Sequence, residues 1–169
     1  VEEKLGETLE KVEKEGADSL FLTKLDDLMW LFNIRGCDVE CNPVAMSYAY
    51  LSREETVLFI QKAVLEDTAA ASLAAKGVKV EEYDTVTDYL KTLPEGRKVM
   101  ADQRQCSYAL YRILSGRQTV VEKKNPTELL KAVKNPVELA HMEDIYLKDS
   151  VALTRFIYWL KTNIGKIEI

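Results

Sequence analysis

Few residues in this chain have the type and spacing for chemistry. There is one histidine, His141, set in Leu139-Ala-His-Met-Glu-Asp144. A helical metal pair needs side chains three or four residues apart, and His141 and Glu143 are two apart, so they point away from each other. Asp26 and Asp27 are adjacent and splayed around a helix, which suits capping better than a shared-proton acid/base pair. Asp102 follows a strand-like run, where it can lie at a sheet end or cap the next helix. Cys37 and Cys41 are four apart in a loop, but no second Cys/His pair completes a zinc tetrahedron, and Cys106 stands alone before Ser107. Buried or half-buried thiols are the expectation for these three. The sequence has no G-x-S-x-G elbow or phosphate-cradling glycine loop; its seven glycines are dispersed at element ends.

Two residues carry a competing functional reading. Arg35, in a tight loop, can anchor that loop by bonding carbonyls or a carboxylate, or project toward a neighbouring active site and meet substrate. Trp30 can be a core aromatic or the rim of a peptide-binding cleft. Arg35 and Trp30 are therefore the substrate-access candidates.

The elements that must position them lie between Lys24 and Pro43. The apolar run Leu20–Thr23 stops there, Asp26 and Asp27 can cap a helix, and Leu28, Leu31 and Phe32 follow at helical spacing. Asn33-Ile-Arg-Gly36 then ends the helix, supplying a cation and, at Gly36, a residue free to take positive φ.

The remaining chain alternates in period. Glu2–Glu15 is an amphipathic helix with Leu5, Leu9 and Val12 on one stripe. Ser47–Ser52 and Thr56–Gln61 form an antiparallel hairpin around Arg53-Glu-Glu55. Val57-Leu-Phe-Ile60, continuously apolar, places the pair centrally in a sheet. Lys62–Lys76 reads as mostly helical and Val78–Tyr83 as a half-buried strand; Asp84 then caps a helix to Leu93. A strand at Arg97–Ala101, a helix from Tyr108 to Gly116 and a strand at Gln118–Val121 follow. The fold class is α/β, a mixed sheet with helices on both faces.

Lys124-Asn-Pro-Thr-Glu128 and Lys134-Asn-Pro-Val-Glu138 both read as capping boxes with proline at the first helical position. The first opens a short helix, Thr127–Val133. The second opens the longest, to about Asn163, some 28 residues or roughly 40 Å. Its second half is apolar on nearly every face, and Thr162 to Ile169 is too short to cover it. We expect another chain, or a larger protein around this one.

The totals exclude several classes. The 169 residues are 47% hydrophobic and 30% charged, with net charge −5. Their pI near 5.1 argues against a nucleic-acid backbone as partner. No run approaches the roughly 18 apolar residues of a membrane helix, and the start lacks a signal peptide's apolar core. An odd cysteine count without a secretory signal points to a reducing, cytoplasmic setting.

Leu25-Asp-Asp-Leu-Met-Trp-Leu-Phe-Asn-Ile-Arg-Gly36, with Asp38 and Asn42-Pro43, resembles the Xaa-Pro aminopeptidase (aminopeptidase P) family. The likeness is to the creatinase/prolidase-type N-terminal domain, the second of its kind in three-domain members. It continues through Ser47-Tyr-Ala-Tyr50 and Val78–Tyr83. It ends in Lys134-Asn-Pro-Val-Glu-Leu-Ala-His-Met-Glu143 and Leu153-Thr-Arg-Phe-Ile-Tyr-Trp-Leu160, similar to the first helix of the family's catalytic domain.

The resemblance implies a ribonuclease-H-like arrangement laid out as a linker helix at 1–16, the domain at 17–133, and at 134–169 the first helix of a truncated pita-bread catalytic domain. It implies a non-catalytic role, shaping substrate access and homodimer contacts in an enzyme that removes an N-terminal residue preceding proline. Two divalent metals, manganese by family habit, would be held there by two aspartates, a histidine and two glutamates. None of these ligands maps onto this chain, so no catalytic, cofactor-binding or metal residue is assigned. The alternative is a protein-interaction module of a catalytically inactive pita-bread relative, as in a histone-chaperone subunit.

Overall fold

Strand periodicity decides which side chain faces which layer. In the computed structural model, which describes residues 1–167, β1 (Ser19–Leu22) sends Leu20 and Leu22 to one face and Phe21 to the other. The hairpin strands β2 (Ser47–Ser52) and β3 (Thr56–Ile60) pair antiparallel, with Tyr50 opposite Val57. β4 (Val78–Glu82), β5 (Lys98–Ala101) and β6 (Thr119–Glu122) complete a six-stranded sheet of order β4-β3-β2-β1-β5-β6. β2 runs antiparallel to both neighbours, whereas β3–β4, β1–β5 and β5–β6 are parallel. The hairpin is interior, as its apolar run requires.

Helices cover both faces. On one, α1 (Glu2–Lys14) buries Leu5, Leu9 and Val12, α2 (Leu25–Phe32) buries Leu28, Leu31 and Phe32, and α3 (Asp67–Ala75) adds Leu73. On the other, α4 (Val86–Thr92) and α5 (Tyr108–Arg117) set Val86, Leu90, Leu110 and Leu114 over Phe21, Tyr50, Phe59 and Val99. Each amphipathic stripe has found the sheet face it needs. α1 is thus part of the core.

Several local expectations are corrected. The stretch 62–76 is mostly helical, as expected, but in two pieces: a 3₁₀ turn at Lys62–Val64 gives way to extended Leu65 and Glu66 before α3. Asp84 does not cap α4; it lies within a 3₁₀ turn, Tyr83–Thr85, where the Thr85 hydroxyl donates back to the Glu82 carbonyl at 2.7 Å. Asn125 precedes α6 (Pro126–Ala132) but forms no capping box, because Glu128 turns instead to Lys24 at 2.9 Å. Asn125 is buried, and neither atom of its amide has a hydrogen-bond partner.

The chain separates into two compact units, Val1–Lys131 and a second beginning at Ala132. The second is dominated by α7 (Pro136–Asn163), 28 residues long. Its start is a true capping box: Asn135 Oδ1 accepts from Glu138 N, and Asn135 N donates to Glu138 Oε2, both at 2.9 Å. No residue of α7 is buried, and Phe156 and Trp159 stack with centroids 6.2 Å apart. Among the described residues no helix is long and apolar enough to cross a membrane. The expectation for the chain's end also takes in Glu168 and Ile169, which lie outside the described residues.

Candidate functional site

α2 and the loop behind it carry both access candidates. The helix begins at extended Lys24, whose side chain makes no cap bond, and Asp26 and Asp27 occupy its first turn. The macrodipole favours carboxylates there. They do not close the helix end as capping residues. They receive α6 instead: Asp27, fully buried, accepts from Thr127 Oγ1 at 2.8 Å and from Lys131 Nζ at 2.6 Å, and Lys131 also bonds Asp26. Lys24 lies 2.9 Å from Glu128 and 4.0 Å from Asp27. Thr127 and Lys131, one turn apart on α6, thus tie it to the start of α2.

These contacts shift titration. Burial raises the Asp26 carboxyl, but the Lys131 bond and charge outweigh it and hold it below the ordinary range. Lys131 is lowered by burial and raised further by Asp26 and Asp27, a net rise. Lys24 is raised, first by its bond to Glu128. A depressed carboxyl gives stability present above its unfolded pKa of about 3.9 and lost as pH falls through the folded value. A raised lysine gives stability present below about 10.4 and lost as pH rises through its folded value. Urea midpoints should therefore fall at both extremes. Asp26→Asn should flatten the acid limb; an acid limb identical to the parent's would contradict this role for Asp26.

The far end of α2 is closed by Asn33 in the left-handed region, at φ 54° and ψ 43°. Asn33 makes this turn because asparagine tolerates left-handed backbone. Gly36 does not take the positive φ expected of it. It is needed for space: a Cβ there would lie 2.6 Å from Ala45 Cβ and 2.7 Å from Ala45 N. That close approach lets Gly36 N reach the Pro43 carbonyl at 3.4 Å and Asp38 N the Val44 carbonyl at 3.1 Å. Asp38 Oδ2 accepts from Met46 N at 2.7 Å, and Val44 and Ala45 are buried behind the loop.

Arg35 is exposed on this loop, its Nη1 donating to the Ile34 carbonyl at 2.7 Å and the Met29 carbonyl at 3.3 Å. Trp30 is half-buried, packed against the core beneath Lys4, whose Nζ lies 4.5 Å from the ring centroid and donates to the Trp30 carbonyl at 2.9 Å. A cation over an indole at such a site contributes about 0.5–1 kcal/mol. The two candidates share one helix end but are not hydrogen-bonded to each other; each has its own anchor.

The other sequence candidates stand apart. Cys37 and Cys41, expected to be buried or half-buried, are instead exposed in the loop, Cys41 at φ 58°. Burial pushes the Cys106 thiol up to about 11, so it is protonated at neutral pH and a poor nucleophile. His141 is exposed on α7, and Asp102 is buried after β5, Oδ1 accepting from Arg104 N at 3.1 Å. Among the described residues no group of three or more His, Cys, Asp or Glu is placed to hold a metal ion. Sequence reasoning missed Lys4, Lys24, Asp38, Thr127 and Lys131. Only the one-turn spacing of Thr127 and Lys131 hinted at a shared face, and nothing local named Asp27 as its target.

Residues 1–138 match the family described as Creatinase/Prolidase N-terminal domain. The Xaa-Pro aminopeptidase 1 of Dictyostelium discoideum is 36% identical over 163 residues, 96% of this chain and 26% of its own length. An X-prolyl aminopeptidase from Caenorhabditis elegans, described as a cytosolic enzyme with a di-nuclear active site, superposes with a TM-score of 0.83. It is 28% identical and is matched over 96% of this chain and 27% of its own. The Xaa-Pro dipeptidase of Bacillus anthracis shares the fold, with a TM-score of 0.62 at 16% identity over 82% of this chain and 38% of its own. The chain spans about a quarter of the length of the two aminopeptidases.

Proposed function

Since the chain belongs to the creatinase/prolidase N-terminal domain family, we propose that it is the non-catalytic middle domain of an Xaa-Pro aminopeptidase-like metallopeptidase. Residues 1–16 are the linker helix that joins the fold, packed on its core through Leu5, Leu9 and Val12, 17–133 the domain, and 134–169 the opening helix of the catalytic domain. The observation behind this reading is the coverage: an aminopeptidase is matched along 96% of this chain but only 26% of its own length.

The longer protein removes an N-terminal residue preceding proline, in the cytoplasm and as a homodimer. Two divalent metals, manganese by resemblance, would activate water there. The residues described here do not fit such a centre, and no step is assigned to them. This chain's part is positional. Trp30 and Arg35, anchored through Lys4 and through the Met29 and Ile34 carbonyls, hold fixed places at the mouth of the cleft. The exposed apolar residues of α7, among them Leu153, Phe156 and Ile157, form the seat of the catalytic domain.

In the longer protein, Arg35→Ala and Trp30→Ala should each raise KM for an Xaa-Pro peptide by about tenfold, roughly 1.4 kcal/mol of lost contact, with kcat unchanged. Unchanged KM in both would remove them from the cleft mouth. Peptide turnover by the 169-residue chain, surviving repurification, would sink the non-catalytic assignment.

A further inference from the structure

A cleft away from α2's loop combines an apolar floor with unneutralised positive charge. It lies between α1 and the link from β6 to α6 and encloses about 440 Å³. Met100 of β5, Pro126 and Leu129 supply the apolar lining; Leu129 is 67% exposed there. Lys11 and Lys14 stand on the α1 wall, Lys123 and Lys124 on the other. The single lining carboxylate, Glu15, is held by Lys123 at 2.9 Å. No ion-pair partner is found for Lys11, Lys14 or Lys124 among the described residues. In a chain of net charge −5, this is a local reversal of sign.

We infer that this cleft docks an acidic peptide segment of a partner protein, with one large apolar side chain set on Met100, Pro126 and Leu129 and carboxylates on both sides of it. Complementary charge selects an anionic partner and steers its approach. The lysines occupy opposite walls, so a ligand with one charged head would answer only one of them. The apolar floor equally disfavours a bare polyanion. A peptide whose acidic residues flank an apolar anchor matches the walls and the floor together.

The test is fluorescence anisotropy with labelled acetyl-Asp-Glu-Phe-Glu-Asp-amide and the full chain. Saturable binding that weakens as salt rises is expected. It should be at least about tenfold weaker (roughly 1.4 kcal/mol) for the Lys14→Glu/Lys124→Glu double variant and for Leu129→Asp. These positions are exposed, and circular dichroism checks that each variant is folded. Lys91→Glu, on α4 outside the cleft, should leave affinity unchanged.

The proposal is overturned by any of four results: no saturation up to about 1 mM, equal binding of a peptide with glycine at the anchor, affinity indifferent to the cleft substitutions, or displacement by laurate at lower concentration than by unlabelled peptide. Self-association of the chain that Leu129→Asp abolishes would identify a second copy as the occupant and also overturn it.

Discussion

Replacing Lys131 with methionine is expected to destabilise the chain by about 3–5 kcal/mol, because it leaves the Asp27 carboxylate buried without its nearest cation. Asp27 has no exposed side-chain surface, and Lys24, the other cation beside it, is 4.0 Å away. Asp26→Asn should have a much smaller effect, since that side chain is 46% exposed and solvent can take over part of its charge. Urea unfolding followed by circular dichroism measures both. The decisive variant is the double change Asp27→Asn/Lys131→Met. It removes both charges while keeping an amide oxygen to accept from Thr127, and should recover much of the single-variant loss. A loss below about 1 kcal/mol for Lys131→Met would reduce the contact to a surface ion pair.

Two glycine-to-alanine changes should move stability in opposite directions. Gly36→Ala should destabilise by about 1–3 kcal/mol, the usual range for overpacking. The contacts a new Cβ would meet include Ala45 N and Cα, backbone atoms that cannot rotate away as a side-chain tip can. The loop must then open between Gly36 and Pro43, carrying Arg35 and the exposed Cys37 with it. Gly6→Ala should stabilise by about 0.5–1 kcal/mol, because Gly6 lies within α1 with nothing within 4 Å of the added carbon. Urea midpoints measure the pair. Faster labelling of Cys37 by a thiol reagent in Gly36→Ala would report the opened loop. Equal midpoints for Gly36→Ala and the parent would show that the Gly36–Ala45 approach is not needed.

The α2 segment shows how far local reading reaches. Leu28, Leu31 and Phe32 announced a helix with one buried face, and they are buried. Asn33-Ile-Arg-Gly36 announced its end, but the left-handed residue is Asn33 and the glycine serves a contact nine residues away. Positive φ and close approach select the same small residue, so sequence alone does not separate them. The two Asn-Pro-x-Glu motifs make the same point. One closes a capping box; in the other the glutamate has a lysine 104 positions earlier in the chain to meet.

By itself the sequence determined the elements, their amphipathic faces, the hairpin and the mixed α/β class. Each of those is written in a period of two or 3.6 residues, over stretches short enough to read. Only the tertiary structure decided the sheet order, the pairing of Asp26 and Asp27 with Lys131, and the convergence of lysines from α1 and the β6–α6 link. These depend on groups some hundred positions apart being brought together by the burial of the whole core, and no local period records which partner a charge will meet.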